Sequence, residues 1–318
     1  CALFAVSAGL LALGELGDPS VIPLLESMRG VKQLQFEFGG GPVETALTKL
    51  GAEGFKALTD LKGETRSPRM LKAMSAISSI RDPSMIPRLV TTVRDAQCSE
   101  EIRGCAVAAL GAMQQESGVE EFLISVAASA DYPLRLRRSA TYELRRSRSA
   151  TGKAALLRLK DDEDLRACAV AALAQMSPRE YVPELVEIMI GATSTEGQKI
   201  GASNFIDHVD RSVLVGHIAE LEAAISKVGA IPDGVRAKCW LLLYELTGRM
   251  VPMRLKNHFV YTNMSCNFRS IVRRKIGNEG VTSQNIQESC ERAMKEFESS
   301  VTLEGAMPRF GRGVGGER

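Results

Sequence analysis

An all-α chain is expected: an α-solenoid of about eight helix–turn–helix repeats with a C-terminal helical cap. Three observations predict it. The word "LRACAVAALAQM" at 165–176 nearly copies "IRGCAVAALGAM" at 102–113, with eight of twelve positions identical, 63 residues apart. Ungapped matches to Met176 recur at Leu16, Leu50, Ile80, Met113, Val209 and Leu246, at intervals of 34, 30, 33, 63, 33 and 37. The gap of 63 equals two units, so eight units of about 33 residues cover 1–257, a period typical of stacked repeats. The third observation is composition. Of 318 residues, 45% are hydrophobic and only 5% aromatic, with Ala, Leu and Val dominant, a mix that favours close-packed helices over a β-sandwich.

Each unit has the same internal order. A first helix carries apolar or small residues at i, i+3, i+4 and i+7, as in Ala169, Ala172, Leu173 and Met176. A break follows: "GDPS" at 17–20, "RDPS" at 81–84, "SPRE" at 177–180. Asp18 and Asp82 suit a cap or turn, and a proline there cannot continue the first helix. Six residues past the marker a second helix is expected to open, at Ile22-Pro23, Ile86-Pro87 and Val182-Pro183. Proline fits a first helical turn because its missing N–H would be unpaired there. In the fifth unit, "RLRRSATYELRRSRSATGKAALLRL" is a degraded copy whose register is open by a few residues. Small residues at 105–109 and 168–172 let neighbouring helices approach, so Leu at Ala108 or Ala171 is expected to overpack the stack.

Residues 258–302 form a basic segment and a capping helix, and the glycine-rich tail 303–318 is expected to be disordered. The helix is read over 283–301, with Ser283 as N-cap and Ile286, Cys290, Ala293, Met294 and Phe297 as its apolar stripe. The opening "CALFAVSAGLLALGEL" is too short to span a bilayer, so no membrane partner is expected. It reads either as a repeat array entered part-way or as a lipid-modified Cys1. Seven cysteines, an odd number with no CxxC pair, point to a reducing compartment and a cytoplasmic location.

The words "IRGCAVAALGAM" and "LRACAVAALAQM" and the turns "DPSVIP" and "DPSMIP" resemble the short HEAT-like repeats named after phycobilisome bilin lyases. The resemblance covers about four fifths of the chain and is strongest at 5–28, 69–94, 101–128, 164–190 and 235–257. The tetratricopeptide and ankyrin signatures are absent. The resemblance implies an α-solenoid that binds other macromolecules, and it does not choose an activity.

Enzymatic members of that architecture carry residue patterns that this sequence lacks. Deoxyhypusine hydroxylase, similar in build, holds two irons through His-Glu pairs. Here the histidines are His208, His217 and His258, none precedes a Glu, and no HExxH exists, so no metal site is expected. Nothing marks a pigment pocket of the bilin lyase kind. The glycines in "FEFGGGPVETAL", 36–47, lack the GK[ST] of a phosphate loop and read as an interhelical loop. Neither a cofactor nor a catalytic set is expected.

Two basic regions are the candidate binding residues. Arg135, Arg137, Arg138, Arg145, Arg146 and Arg148 crowd into fourteen residues. Arg103, Arg166 and Arg236, with Lys199, occupy a matching first-helix position, so at least one of the six is an ordinary repeat residue paired with an acidic neighbour. The second region, Leu246 to Asn278, has no Asp or Glu and carries seven cations, among them Arg254, Arg269, Arg273 and Arg274, interleaved with Phe259, Tyr261 and Phe268. That pattern fits single-stranded nucleic acid, an acidic protein groove, or a cap whose aromatics are core and whose charges are solvated. HEAT-like DNA glycosylases use aromatics beside a damaged base, but Trp240 replaces Val170 by alignment and reads as packing. The expected function is a non-catalytic protein-binding scaffold, with a nucleic-acid-binding or DNA-repair protein as the alternative and a bilin lyase-like enzyme as a third reading.

Overall fold

The structure is a computed structural model and describes residues 2–29, 41–60, 67–278 and 283–303. The chain divides into two compact units, Cys1–Met176 and Ser177–Arg318. The tail at 304–318, the loop residues 36–40 and the side chains of Ser283 and Ile286 lie outside the described residues.

The first unit is helical throughout its described residues. Its helices are α1 Ala2–Leu16, α2 Ile22–Met28, α3 Pro42–Lys49, α4 Gly51–Thr59, α5 Pro68–Ser78, α6 Ile86–Arg94, α7 Glu100–Ala112, α8 Val119–Ala128, α9 Leu134–Glu143, α10 Ala150–Leu159 and α11 Arg166–Met176. Odd-numbered helices pack side by side in order: α1 on α3, α3 on α5, α5 on α7, α7 on α9 and α9 on α11. Even-numbered helices lie against them in a second layer, where α2 meets α4 and α8 meets α10. Sequence neighbours are thus spatial neighbours, and one apolar layer runs between the two rows, with Leu47, Ile77, Leu110, Leu136 and Leu173 all fully buried.

Local chemistry sets the breaks. Asp18 Oδ1 accepts from Ser20 N and Asp82 Oδ1 from Ser84 N, both at 2.9 Å, and each caps a single 3-10 turn that runs into α2 or α6. These bonds from the serine amide and hydroxyl hold both carboxyls below the ordinary range. Ser67, Ser99 and Ser149 cap α5, α7 and α10 through their hydroxyl oxygens. The fifth unit, whose register was open, resolves as α9, a 3-10 turn at Leu144–Arg146, and α10.

Helix approach depends on small residues. A Cβ added to Gly14 would stand 2.7 Å from Ala46 Cα, and one on Gly111 would stand 2.4 Å from Glu143 Oε2. Ala171 is 1% exposed, whereas its repeat equivalent Ala108 is half-buried, so the two are not interchangeable as the repeat implies. The Leu16 marker, the last residue of α1, is 74% exposed, unlike its buried counterparts Leu50, Ile80 and Met113.

The arginines at first-helix starts share a device. Nε of Arg103 donates to Val93 O (2.9 Å), of Arg137 to Ala127 O (3.1 Å) and of Arg236 to Ile225 O (2.8 Å). Each acceptor lies in the last turn of the preceding helix, where carbonyls lack an intrahelical partner. The expected acidic neighbour is present for two: Asp162 for Arg137 and Asp233 for Arg236. Arg103 instead lies over the ring of Tyr132.

The second unit contains α12 Pro178–Ile190, α13 Glu196–Phe205, α14 Arg211–Leu214, α15 Ile218–Ile225, α16 Asp233–Thr247, β1 Met253–Leu255, α17 His258–Asn278, α18 Ser283–Ser300 and β2 Val301–Leu303. Contacts run from α12 to α13, α13 to α16, α15 to α16, α16 to α17 and α17 to α18. Two expectations are corrected here. Pro183 lies inside α12 rather than in its first turn, because Pro178 already starts the helix. The C-terminal region is also not purely helical: β1 and β2 pair in parallel, Met253 with Val301 and Leu255 with Leu303. Met253, Leu255 and Val301 are all buried, which anchors the strand pair.

Replacing Ala171 by Leu is expected to cost about 1–3 kcal/mol by overpacking, and Ala108→Leu distinctly less. Arg236→Ala is expected to cost about 1.5–3 kcal/mol by stranding Ile225 O and Asp233. Urea unfolding of the three variants measures both.

Candidate interaction surfaces

In the first basic region the repeat position is Arg137, half-buried and bonded to Asp162 at 2.7 Å. Arg135 pairs with Glu101 at 2.6 Å across α7 and α9, and Arg138 with Asp164, whose backbone oxygen also accepts from Arg138 Nε at 2.9 Å. Glu143, 7% exposed, takes both Arg145 and Arg146. Arg145 further stacks over Tyr142, 4.1 Å from the ring centre. Burial first, then the adjacent Arg145 and Arg81, hold the Arg146 guanidinium below its ordinary pKa, while Glu143 opposes them. Arg148 is exposed and forms no ion pair among the described residues. Five of the six arginines are thus matched by the chain's own carboxylates.

The second region divides differently. Arg249 pairs with Glu222 and Arg274 with Glu245, which also takes Arg211. Lys275 donates to Tyr244 O at 3.1 Å and lies over the Tyr244 ring. Arg254 on β1 and Arg269 and Arg273 on α17 are exposed, and none of the three forms an ion pair among the described residues.

Most of the aromatics are core. Trp240 is fully buried, donates from Nε1 to Val251 O at 2.8 Å, and packs edge-on against Phe268 and Phe297. Phe268 and Phe297 stack with 4.8 Å between centres, and Tyr261 leans on Phe297. Phe259 alone of the three interleaved aromatics is exposed, at 74%. Trp240 is therefore a packing residue, and α18 serves the cap by supplying Phe297 and Cys290 to its interior.

Sequence reasoning missed two charged residues. Arg81 and Arg88 line a cavity of about 600 Å³ reached by the ends of α1, α3 and α5. Lys199 is 7% exposed and donates to Ala230 O at 3.2 Å, a carbonyl that follows it in sequence, so it does not reproduce the arginine device. No signal in the repeat spacing distinguishes these from solvated cations. No group of three or more His, Cys, Asp or Glu is placed to hold a metal ion among the described residues, and no described helix is long and apolar enough to cross a membrane.

A comparison with known protein families found no family model matching the chain, and a comparison with curated proteins found no match.

The thiols follow their surroundings. Burial pushes Cys168 and Cys105 up to about 11 and Cys239 up to about 12, while Cys266 is exposed. Cys266 is expected to react with a disulfide reagent in the native protein, with Cys239 reacting only on unfolding. Folded pKa values above the unfolded value of 9.0 mean that unfolded thiols release protons first. These groups therefore lose their contribution as pH rises from about 9 towards 12. Cys239→Ala is expected to flatten that alkaline decline, read by denaturant unfolding across the window.

Proposed function

We propose that this chain is a non-catalytic protein-binding adaptor, a HEAT-like α-solenoid of about eight helix pairs that holds a partner along a groove lined mainly by its second helices. The observation that carries this reading is the closure of the basic regions by carboxylates: Arg135, Arg137, Arg138, Arg145, Arg146, Arg249 and Arg274 all have acidic partners. A surface of alternating sign suits a protein partner, which offers both charges, and disfavours a polyanion, whose binding depends on unpaired cations. Order along the first unit, each first helix against the next, supports the solenoid. Six thiols outside disulfides among the described residues support a reducing compartment, the cytoplasm.

A second reading has one specific observation behind it. Arg254, Arg269, Arg273 and exposed Phe259 supply unpaired cations and one available ring, the elements of a single-stranded nucleic-acid contact.

Photo-cross-linking in nuclease-treated lysate, read by mass spectrometry, tests the first reading. Cross-links to one protein partner concentrated on α4, α6, α8 and α10 are expected, and cross-links confined to other elements count against it. An oligothymidylate titrated over rising salt tests the second. That reading requires affinity falling steeply with salt, and absent or salt-independent binding removes it.

A further inference from the structure

We propose that the cavity walled by the ends of α1, α3 and α5 and the start of α6 docks an acidic segment of a protein partner, with Arg81 and Arg88 receiving its carboxylates. The inference rests on the protein-binding reading and names the chemistry of the partner.

The cavity measures about 600 Å³ and brings three successive helix pairs together. Hydroxyls of Thr45, Thr48, Ser79 and Ser84 give it hydrogen-bonding capacity, and Ile80 and Met85 give it a carbon wall. Its charges are unequally matched. Lys49 is bonded to Glu15, and Asp82 is occupied by the Ser84 amide at 2.9 Å. Arg81 Nη1 donates to Ser78 O (2.7 Å) and Ile80 O (2.6 Å), which fixes the guanidinium without neutralising it. Arg88 is half-buried, its Nη1 is shielded from solvent with no acceptor, and it forms no ion pair among the described residues.

A guanidinium nitrogen kept from water without an acceptor is costly, and Arg137 and Arg236 show how this chain meets such groups with a carboxylate. Arg81 also lies within electrostatic range of Arg146, which shares Glu143 with Arg145. Arg145 and Arg146 of the fifth helix pair thus already take up that buried carboxylate. An incoming carboxylate supplies what is missing, since a guanidinium fork matches a carboxylate in two parallel bonds. A nucleic acid fits less well. None of the lining residues is aromatic, so no base has a stacking partner.

Fluorescence anisotropy with a labelled octaglutamate peptide tests the site, with octaglutamine and an oligothymidylate of equal charge as controls. Octaglutamate is expected to bind the full chain at least about tenfold tighter than either control. The double variant Arg81→Met, Arg88→Met, which keeps the side-chain stems, is expected to lose that affinity by about tenfold or more. Replacing the exposed Arg179 of α12 by Met leaves it unchanged. In the unmutated protein, bound octaglutamate is expected to protect Arg81 and Arg88 from phenylglyoxal modification, read by mass spectrometry. This readout holds even where the double variant fails to fold. No preference over octaglutamine, equal binding of the oligothymidylate, or modification of both arginines at an unchanged rate overturns the proposal. A partner captured on α4 to α10 whose binding segment has no acidic residue also overturns it, and leaves the adaptor reading standing.

Discussion

Every first helix in the middle of the first unit must lie against two others of its kind, and that double contact governs the rest. Close approach of neighbouring first helices explains why Gly14, on α1 against α3, and Gly111, on α7 against α9, have no room for a Cβ. It also explains why a word such as "CAVAAL" is worth stating twice. Side chains of one or two heavy atoms bring backbones close and place many weak contacts in a small volume. The arginine bonds from the starts of α7, α9 and α16 to the carbonyls of the preceding helix then fix how far these three helices slide along it. Arg103 and Arg236 are buried to 6% and 1% exposure, so these are cohesive groups and not surface charges.

That use of arginine changes what the basic regions mean. Counted along the sequence, residues 135–148 are a cationic run. Counted in space, five of the six arginines face Glu101, Asp162, Asp164 or Glu143. Exposed pairs such as Arg135–Glu101 contribute little to stability, about 0–1 kcal/mol, but they remove the unpaired charge that a polyanion requires. The arginines without an ion pair among the described residues include Arg81, Arg88 and Arg148 in one unit and Arg254, Arg269 and Arg273 in the other.

The helix pairs were legible because packing imposes a period, and a period survives in the residue string. The Asp-Pro-Ser breaks were legible because the cap is a bond between residues two apart. Other features were not. Strands of three residues carry no periodicity, so β1 and β2, 46 residues apart from Leu255 to Val301, leave no trace before the chain is folded. The role of Arg137 against its neighbours Arg135 and Arg138 is a matter of which side chain meets a carbonyl ten residues back, and three nearby arginines look alike in the string. Pro183 sits at the same offset as Pro23 and Pro87, yet Pro178 upstream moves the helix start. The Arg81–Arg88 cavity is made from three units at once, so no single unit announces it.

Side-by-side stacking of the first helices makes a graded stability within Cys1–Met176, and amide hydrogen exchange measures it most directly. Helices α5, α7 and α9, held on both flanks, are expected to exchange slowest, and α1, held on one flank, fastest. Uniform protection along the unit, or α1 as slow as α7, would contradict the account.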